Sequence, residues 1–248
     1  MAFLAVDVGN SRIHIGYFRR GRLEETLDVP TSKLNPDELA ERLSRFQARG
    51  ALVSSVVPSL DATIEHLLKS VVVGEVRFLR YSPDLGITVD YERPETLGTD
   101  RLVHAFYVQK WVQADSVVVD LGTAITVDFI GGDGHFYGGA IIPGPNMLRK
   151  ALAAETALLF EFEWQNVPHF VGTSTEEAME IGIMKTLEAG IRSITYGGAI
   201  ELSWKTFRKL LTGGLIDKYR LVEFERVPHL NLYGLHAAAA LWFPKEDL

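Results

Sequence analysis

Val6-Asp7-Val8-Gly9-Asn10-Ser11 and Val119-Asp120-Leu121-Gly122-Thr123-Ala124 repeat one pattern in the two halves of the chain: an apolar run, a carboxylate, a glycine and a hydroxyl-bearing residue. Each is followed by a second apolar stretch, so each reads as a turn between strands. Glycine lets backbone N–H groups approach an anion, the hydroxyl adds a donor, and the carboxylate can hold a cation or its water shell. A single Asp-x-Gly is an ordinary turn, because both residues suit turns for conformational reasons. Its recurrence in matching context, with Thr212-Gly213-Gly214 further on, turns the reading towards a clamp for nucleotide phosphates, the two turns facing each other.

A second candidate lies in Tyr91-Glu92-Arg93-Pro94-Glu95-Thr96-Leu97-Gly98-Thr99-Asp100-Arg101. One reading is structural: Thr99 or Asp100 caps a helix from Leu102 to Trp111, with a carboxylate at the positive end of the helix dipole. The other is chemical. Asp100 supplies a base for an alcohol and Arg101 a fork for an acid.

The surrounding pattern shows what must position these groups. Phe3–Val8, Ile13–Phe18 and Leu23–Val29 read as strands of an antiparallel meander. A helix from Pro36 to Gln47 behind an Asn35 cap, a strand from Ala51 to Val57 and a helix from Leu60 to Val71 follow. Strands at Ser116–Asp120, Ile125–Ile130 and Phe136–Ile142 repeat the meander around Gly131-Gly132-Asp133-Gly134, which reads as a hairpin turn. Helices at Asn146–Ala157 and Thr175–Ala199, a strand at Lys209–Leu211 and an Ala-rich helix at Leu232–Trp242 close the plan. The expected architecture is an α/β, duplicated two-lobed fold, each lobe a mixed sheet with flanking helices, with lobes at residues 1–114 and 115–248.

Composition narrows the chemistry. The chain has 248 residues, 25 Lys and Arg against 32 Asp and Glu, and no cysteine. The net charge of −7 gives no electrostatic footprint for nucleic acid or anionic membrane, so a phosphate ligand must be held locally. Without cysteine there are no disulfides, thiolate nucleophiles or Cys-based zinc sites. No signal-type segment or membrane-length apolar run is evident, and a cytoplasmic protein is expected. The seven histidines show no metal-ligand spacing and read as packing or surface residues. Glu176-Glu177 suits the first turn of a helix rather than a pair of catalytic carboxylates.

The three glycine turns in this order resemble the phosphate-1, phosphate-2 and adenosine motifs of the actin/Hsp70/sugar-kinase superfamily, whose fold is ribonuclease H-like. The chain also resembles type III pantothenate kinases. The matching residues are Asp7 to Ser11, Tyr91 with Pro94, Gly98-Thr99-Asp100-Arg101, Asp120 to Ala124, Gly138-Gly139-Ala140-Ile141-Ile142-Pro143-Gly144, Gly172-Thr173-Ser174-Thr175 and Thr212-Gly213-Gly214. They run in family order over almost the whole length.

The resemblance implies a homodimer, with its substrate site at the subunit interface, that transfers the γ-phosphoryl group of ATP to the primary hydroxyl of pantothenate. This is the first step of coenzyme A synthesis. By the same resemblance Asp7, Val8, Gly9, Asn10, Ser11, Arg12, Ile13 and His14 bind ATP phosphates, Asp7 on the Mg²⁺ side, and Thr123 also touches ATP. Asp120 ligates a monovalent cation, K⁺ or NH₄⁺. Tyr91, Gly98, Thr99, Asp100, Arg101 and Thr175 bind pantothenate, with Asp100 as proton acceptor. The pairing of Arg101 with the pantothenate carboxylate follows from its guanidinium chemistry.

Where the family usually shows Asn-Thr followed by Asn, this chain has Asn10-Ser11-Arg12. Ser11 keeps the hydroxyl, while Arg12 adds a fixed charge, either beside the phosphates or outward from the strand. Two other functions are compatible with the scaffold: a non-catalytic regulatory protein, and a superfamily kinase acting on a sugar or carboxylate. The acidic residues and Gly98–Arg101 speak against them.

Overall fold

The structure, a computed structural model, describes residues 2–246 and Leu248. Its strands are β1 (Ala2–Val8), β2 (Arg12–Arg19), β3 (Arg22–Pro30), β4 (Gly50–Ser55), β5 (Glu75–Phe78), β6 (Ser116–Leu121), β7 (Ala124–Ile130), β8 (Phe136–Pro143), β9 (Arg208–Thr212) and β10 (Glu225–Arg226). The α-helices are α1 (Pro36–Ser44), α2 (Pro58–Val71), α3 (Thr99–Tyr107), α4 (Pro145–Glu155), α5 (Thr175–Glu201) and α6 (Leu230–Ala239).

Two five-stranded sheets result, in the orders β3-β2-β1-β4-β5 and β10-β9-β6-β7-β8. Read from its other edge, the second is β8-β7-β6-β9-β10, the first order moved on by five strands. The duplication seen in the Asp-Gly turns therefore extends to topology. In the first sheet β1 runs antiparallel to β2 and parallel to β4, so this sheet is mixed as expected.

Contacts divide the chain into two units. The first comprises Met1–Ala114, Ile130–Tyr137 and His229–Leu248; the second comprises Asp115–Phe129 and Gly138–Pro228. Between Ala114 and Asp115 the chain passes from the first unit to the second, and α6 belongs with the first. α6 is apolar nearly all round, and such a helix must be buried on several sides. It packs on α3, where Gly234 brings its α-carbon against the carbonyl of Val103 with no room for a Cβ.

β1 is buried along its whole length, so its two faces serve two layers. Leu4, Val6 and Val8 join Leu39 and Leu43 of α1 and Ile64, Leu67 and Leu68 of α2 in one core cluster. Phe3, on the opposite face, meets His236 and Phe243 edge-on. Alternation along a strand puts Asp7 on the same face as Phe3, the side covered by the C-terminal helix.

The expected helices are present, with shifted ends. α1 stops at Ser44 instead of Gln47, and Gln47 has a positive φ of 49°. Asn35 caps α1 as expected, accepting from the Glu38 amide. α3 begins at Thr99 and gives way after Tyr107 to a π-helical turn over Val108–Val112. α6 spans Leu230–Ala239, earlier than the expected Leu232–Trp242.

Candidate active site

The first Asp-Gly turn joins β1 to β2. The Gly9 amide donates to the Arg12 carbonyl at 2.9 Å, and a Cβ on Gly9 would lie 3.1 Å from that same oxygen. Thr31 fastens the outside of the turn, its hydroxyl donating to the Gly9 carbonyl and its amide to the Ser11 carbonyl. Val8 and Ile13 are wholly buried, so a ligand at this turn meets their main chain and not their side chains.

Of the two directions open to Arg12, the side chain takes the one towards β3. Its Nε lies 2.7 and 2.8 Å from the two carboxylate oxygens of Asp28, which raise the guanidinium pKa further. His14, opposite Asp28 in the sheet register, lies 3.6 Å from the same carboxylate.

The Gly98–Arg101 segment is built differently from the cap expected of Thr99 or Asp100. Gly98 is the N-cap of α3, and Thr99 and Asp100 form its first turn. The Thr99 hydroxyl accepts from the Ser55 amide at 3.1 Å and the Ser54 hydroxyl at 3.0 Å, and donates to the Ser55 carbonyl at 3.2 Å. One donor and two acceptor positions exhaust a hydroxyl. Anything Thr99 offers a substrate comes from its main chain.

Ser54 and Ser55 stand in register with Asp7 and Val8 across the β1/β4 pair. Thr99 therefore fixes the start of α3 to the strand beside Asp7. Asp100 accepts from the Arg101 amide at 2.9 Å, and its carboxylate folds over Gly98, where a Cβ would sit 2.5 Å from Oδ1. Among twenty residue types only glycine leaves that space.

Arg101 is 5% exposed. Its Nη1 donates to the Tyr91 hydroxyl at 2.7 Å, and its guanidinium carbon lies 5.2 Å from the Phe136 ring centre. Tyr91 thus meets Arg101 directly, and both belong to the first unit. Tyr91 also lines an open depression of about 460 Å³ with Asp90, Glu92, Arg93 and Thr96.

Asp7, 7% exposed, is joined to α3 through a residue that the sequence did not single out. The Asn231 Nδ2 donates to Asp7 Oδ2 at 3.0 Å, and Asn231 Oδ1 lies 3.1 Å from His104 Nε2. A polar residue opening an otherwise apolar helix was the one signal for Asn231. His104, one turn after Asp100 on α3, was grouped with the other histidines as packing or surface residues, and at 1% exposure it is buried.

In the second unit Asp120 is level with Thr212 across the parallel β6/β9 pair. Gly213 has φ +99°, and its α-carbon is pressed on Asp120 Oδ1 and the Leu121 peptide so closely that a Cβ would overlap them. The second Asp-Gly turn and the Thr-Gly-Gly turn are thus one feature. The cradle offers a carboxylate and a carbonyl, hard oxygen donors that fit an alkali-type cation. Gly144 likewise lies on the Gly122 and Thr123 carbonyls, and its amide donates to Thr123.

Thr175 opens α5 behind Ser174, whose hydroxyl accepts from the Glu177 amide. Glu177 accepts in turn from the Thr173 amide and hydroxyl, which hold its carboxyl below the usual range. Its role is capping. Among the described residues no cluster of three or more His, Asp or Glu side chains is arranged to hold a metal, and no helix is long and apolar enough to cross a membrane.

Two five-stranded sheets of matching strand order, each bearing an Asp-Gly turn, define a duplicated α/β class of fold. Two solved structures share the fold over nearly the whole chain. One is a Campylobacter jejuni protein assigned to the Baf family of transcriptional activators, at 21% identity and TM-score 0.62, covering 96% of this chain and 98% of its own. The other is a Listeria monocytogenes protein assigned as an N-acetylmannosamine kinase, at 15% identity and TM-score 0.55, covering 97% and 98%.

Within that class the chain belongs to the type III pantothenate kinase family, whose profile matches residues 3–196. The type III pantothenate kinase of Rubrobacter xylanophilus is 33% identical over 96% of this chain and 97% of its own. Membership makes the protein an ATP-dependent pantothenate kinase of coenzyme A synthesis and sets aside the regulatory and sugar-kinase readings.

Proposed function

We propose that Asp100 is the general base of this kinase. In the reaction the primary hydroxyl oxygen of pantothenate bonds to the γ-phosphorus of ATP, the bond from that phosphorus to the β,γ-bridging oxygen breaks, and ADP leaves with the electron pair. The hydroxyl proton passes to the Asp100 carboxylate. A positioned base contributes roughly 10²–10⁴ in rate. The rest is positioning and charge neutralisation, because phosphoryl transfer spreads charge over the equatorial oxygens.

The observation that carries this reading is the anchoring of the α3 start by Thr99 to the two residues in register with Asp7 and Val8. It ties the proposed base to the strand that leads into the phosphate turn, independently of any ligand. Bound Mg²⁺ would neutralise phosphate charge on the Asp7 side, and residues Asp7 to His14 would hold the phosphates, the side chains of Val8 and Ile13 excepted. Thr123 would add a contact to ATP. Asp120 would hold a monovalent cation, K⁺ or NH₄⁺, in the oxygen cradle closed by Gly213.

Tyr91, Gly98, Thr99, Asp100, Arg101 and Thr175 would form the pantothenate side. Arg101 is suited to the substrate carboxylate by its forked donors, and Tyr91 holds it in place. Thr99 takes part through its main chain. A homodimer would complete that side, and the cytoplasm is the expected compartment.

The test is ADP release by purified protein with pantothenate, with K⁺ or NH₄⁺ and with neither. Turnover that requires both pantothenate and a monovalent cation supports the reading. Cation-independent turnover would remove the role given to Asp120, and equal turnover of hexoses or acetate would remove the substrate assignment.

A further inference from the structure

We propose that Asn231 is a positioning residue for Asp7, and that His104 fixes the orientation in which Asn231 works. The inference rests on the reading of Asp7 as the carboxylate on the phosphate and metal side. It concerns two residues that play no part in that reading.

The argument starts from donor and acceptor types. An ionised carboxylate only accepts, so the Asn231 atom 3.0 Å from Asp7 Oδ2 must be its NH₂ group. That orientation turns the Asn231 carbonyl oxygen to His104 Nε2, 3.1 Å away. A carbonyl oxygen cannot donate, so Nε2 must carry a hydrogen. The whole chain of contacts then has one direction: His104 donates to Asn231, and Asn231 donates to Asp7. Reversing the amide would set NH₂ against Nε2–H and the carbonyl against a carboxylate, two repulsive pairs in place of two hydrogen bonds.

Packing makes the arrangement rigid. His104 is 1% and Asp7 7% exposed, and Gly234, one turn after Asn231, lies against the carbonyl of Val103, the neighbour of His104. Asn231 stands at the second position of α6, where its backbone is fixed by the helix and its side chain spans from α3 to β1.

The consequence for the reaction is specific. A carboxylate with one oxygen held by a fixed donor keeps one rotamer, which presents its remaining lone pairs in a constant direction. Outer-shell partners of this kind typically change metal affinity or activity by about 10–100-fold when removed. Because His104 also lies on α3, whose first turn carries Asp100, the link holds the proposed base and the proposed metal-side carboxylate in one framework.

The test measures MgATP binding by calorimetry as Mg²⁺ is varied, beside steady-state kinetics. Asn231→Ala is expected to raise the Mg²⁺ midpoint about 10–100-fold while the KM for pantothenate stays within about twofold, the melting curve confirming a folded protein. His104→Phe should shift the midpoint in the same direction. His104→Gln, whose amide NH₂ can replace Nε2–H, should restore it. A folded Asn231→Ala protein with the wild-type Mg²⁺ midpoint would overturn the proposal.

If both alanine and phenylalanine variants fail to fold, the unaltered protein decides. ¹⁵N NMR of the His104 ring should show the hydrogen on Nε2, and a bare Nε2 would overturn the proposal. Asp7→Asn separates the two readings. A shifted midpoint in Asp7→Asn with none in Asn231→Ala would sink only the role of Asn231, whereas no shift in either would sink both.

Discussion

The carboxylate of Asp100 lies over the α-carbon of Gly98, so that a methyl group on Gly98 would stand 2.5 Å from Oδ1. No backbone conformation forces glycine there, since the residue is in an ordinary region with φ −56° and ψ 137°. The requirement comes from the space that the acid side chain occupies. Gly98→Ala should therefore fold and bind ATP normally, because a short side-chain tip can swing aside. The swing should cost turnover, by about tenfold or more out of the ~10²–10⁴ that a positioned base contributes. Steady-state kinetics beside ATP titration check this; unchanged kcat would mean that the observed carboxylate position is not the working one.

Thr99 connects the same helix to the sheet. Thr99→Val keeps the shape but removes one donor and two accepting positions from a buried cluster with Ser54 and Ser55. Leaving the Ser55 amide without its acceptor should cost about 1–3 kcal/mol. Thr99→Ser should recover most of it. Denaturant unfolding of the three proteins provides the comparison, and equal stability would deny Thr99 its anchoring role.

The Asp120 cradle predicts a change in ionic requirement. Asp120→Asn should bring the ratio of rates with and without potassium towards unity, with the melting temperature little altered. Gly213→Ala should instead destabilise the fold, since it places a side chain at φ +99° and against Asp120 and Leu121. A potassium response in Asp120→Asn equal to that of the parent would contradict the assignment.

His236 gives a pH prediction outside the site. It is stacked on Phe18 with ring centres 4.3 Å apart, and burial lowers its pKa below the ordinary 6.5. A lowered histidine pKa means that the folded state prefers the neutral ring. Above about pH 6.5 both folded and unfolded states hold it neutral and its contribution is complete; as pH falls below that, the unfolded state gains the proton first and stability is lost until the folded value is passed. His236→Phe should keep the stacking and show a smaller drop in melting temperature between pH 7.5 and 5.5. An undiminished drop would place the acid sensitivity elsewhere.

The strands around both Asp-Gly turns were legible because alternating apolar residues and glycine punctuation are local signals. The recurrence of three successive strands in the second half followed from the repeat, whereas the places of β9 and β10 in that sheet came only from the structure. The N-cap of α3 was misread for a tertiary reason: Thr99 favours capping in isolation, but β4 engages its hydroxyl completely. β5 and β10 were missed because four- and two-residue strands carry too little periodicity. The tie from Asp7 through Asn231 to His104 joins residues from the beginning, end and middle of the chain. No window along the sequence contains that relation.

The most direct test of Asp100 as the proton acceptor is pantothenate-dependent ADP release by Asp100→Asn, with ATP affinity measured on the same preparation. The amide keeps the shape and the hydrogen-bond acceptor for the Arg101 amide but cannot take a proton at neutral pH. Turnover should fall by about 10²–10⁴ with ATP binding intact. Near-parental turnover in a folded, ATP-binding Asp100→Asn protein would contradict the account.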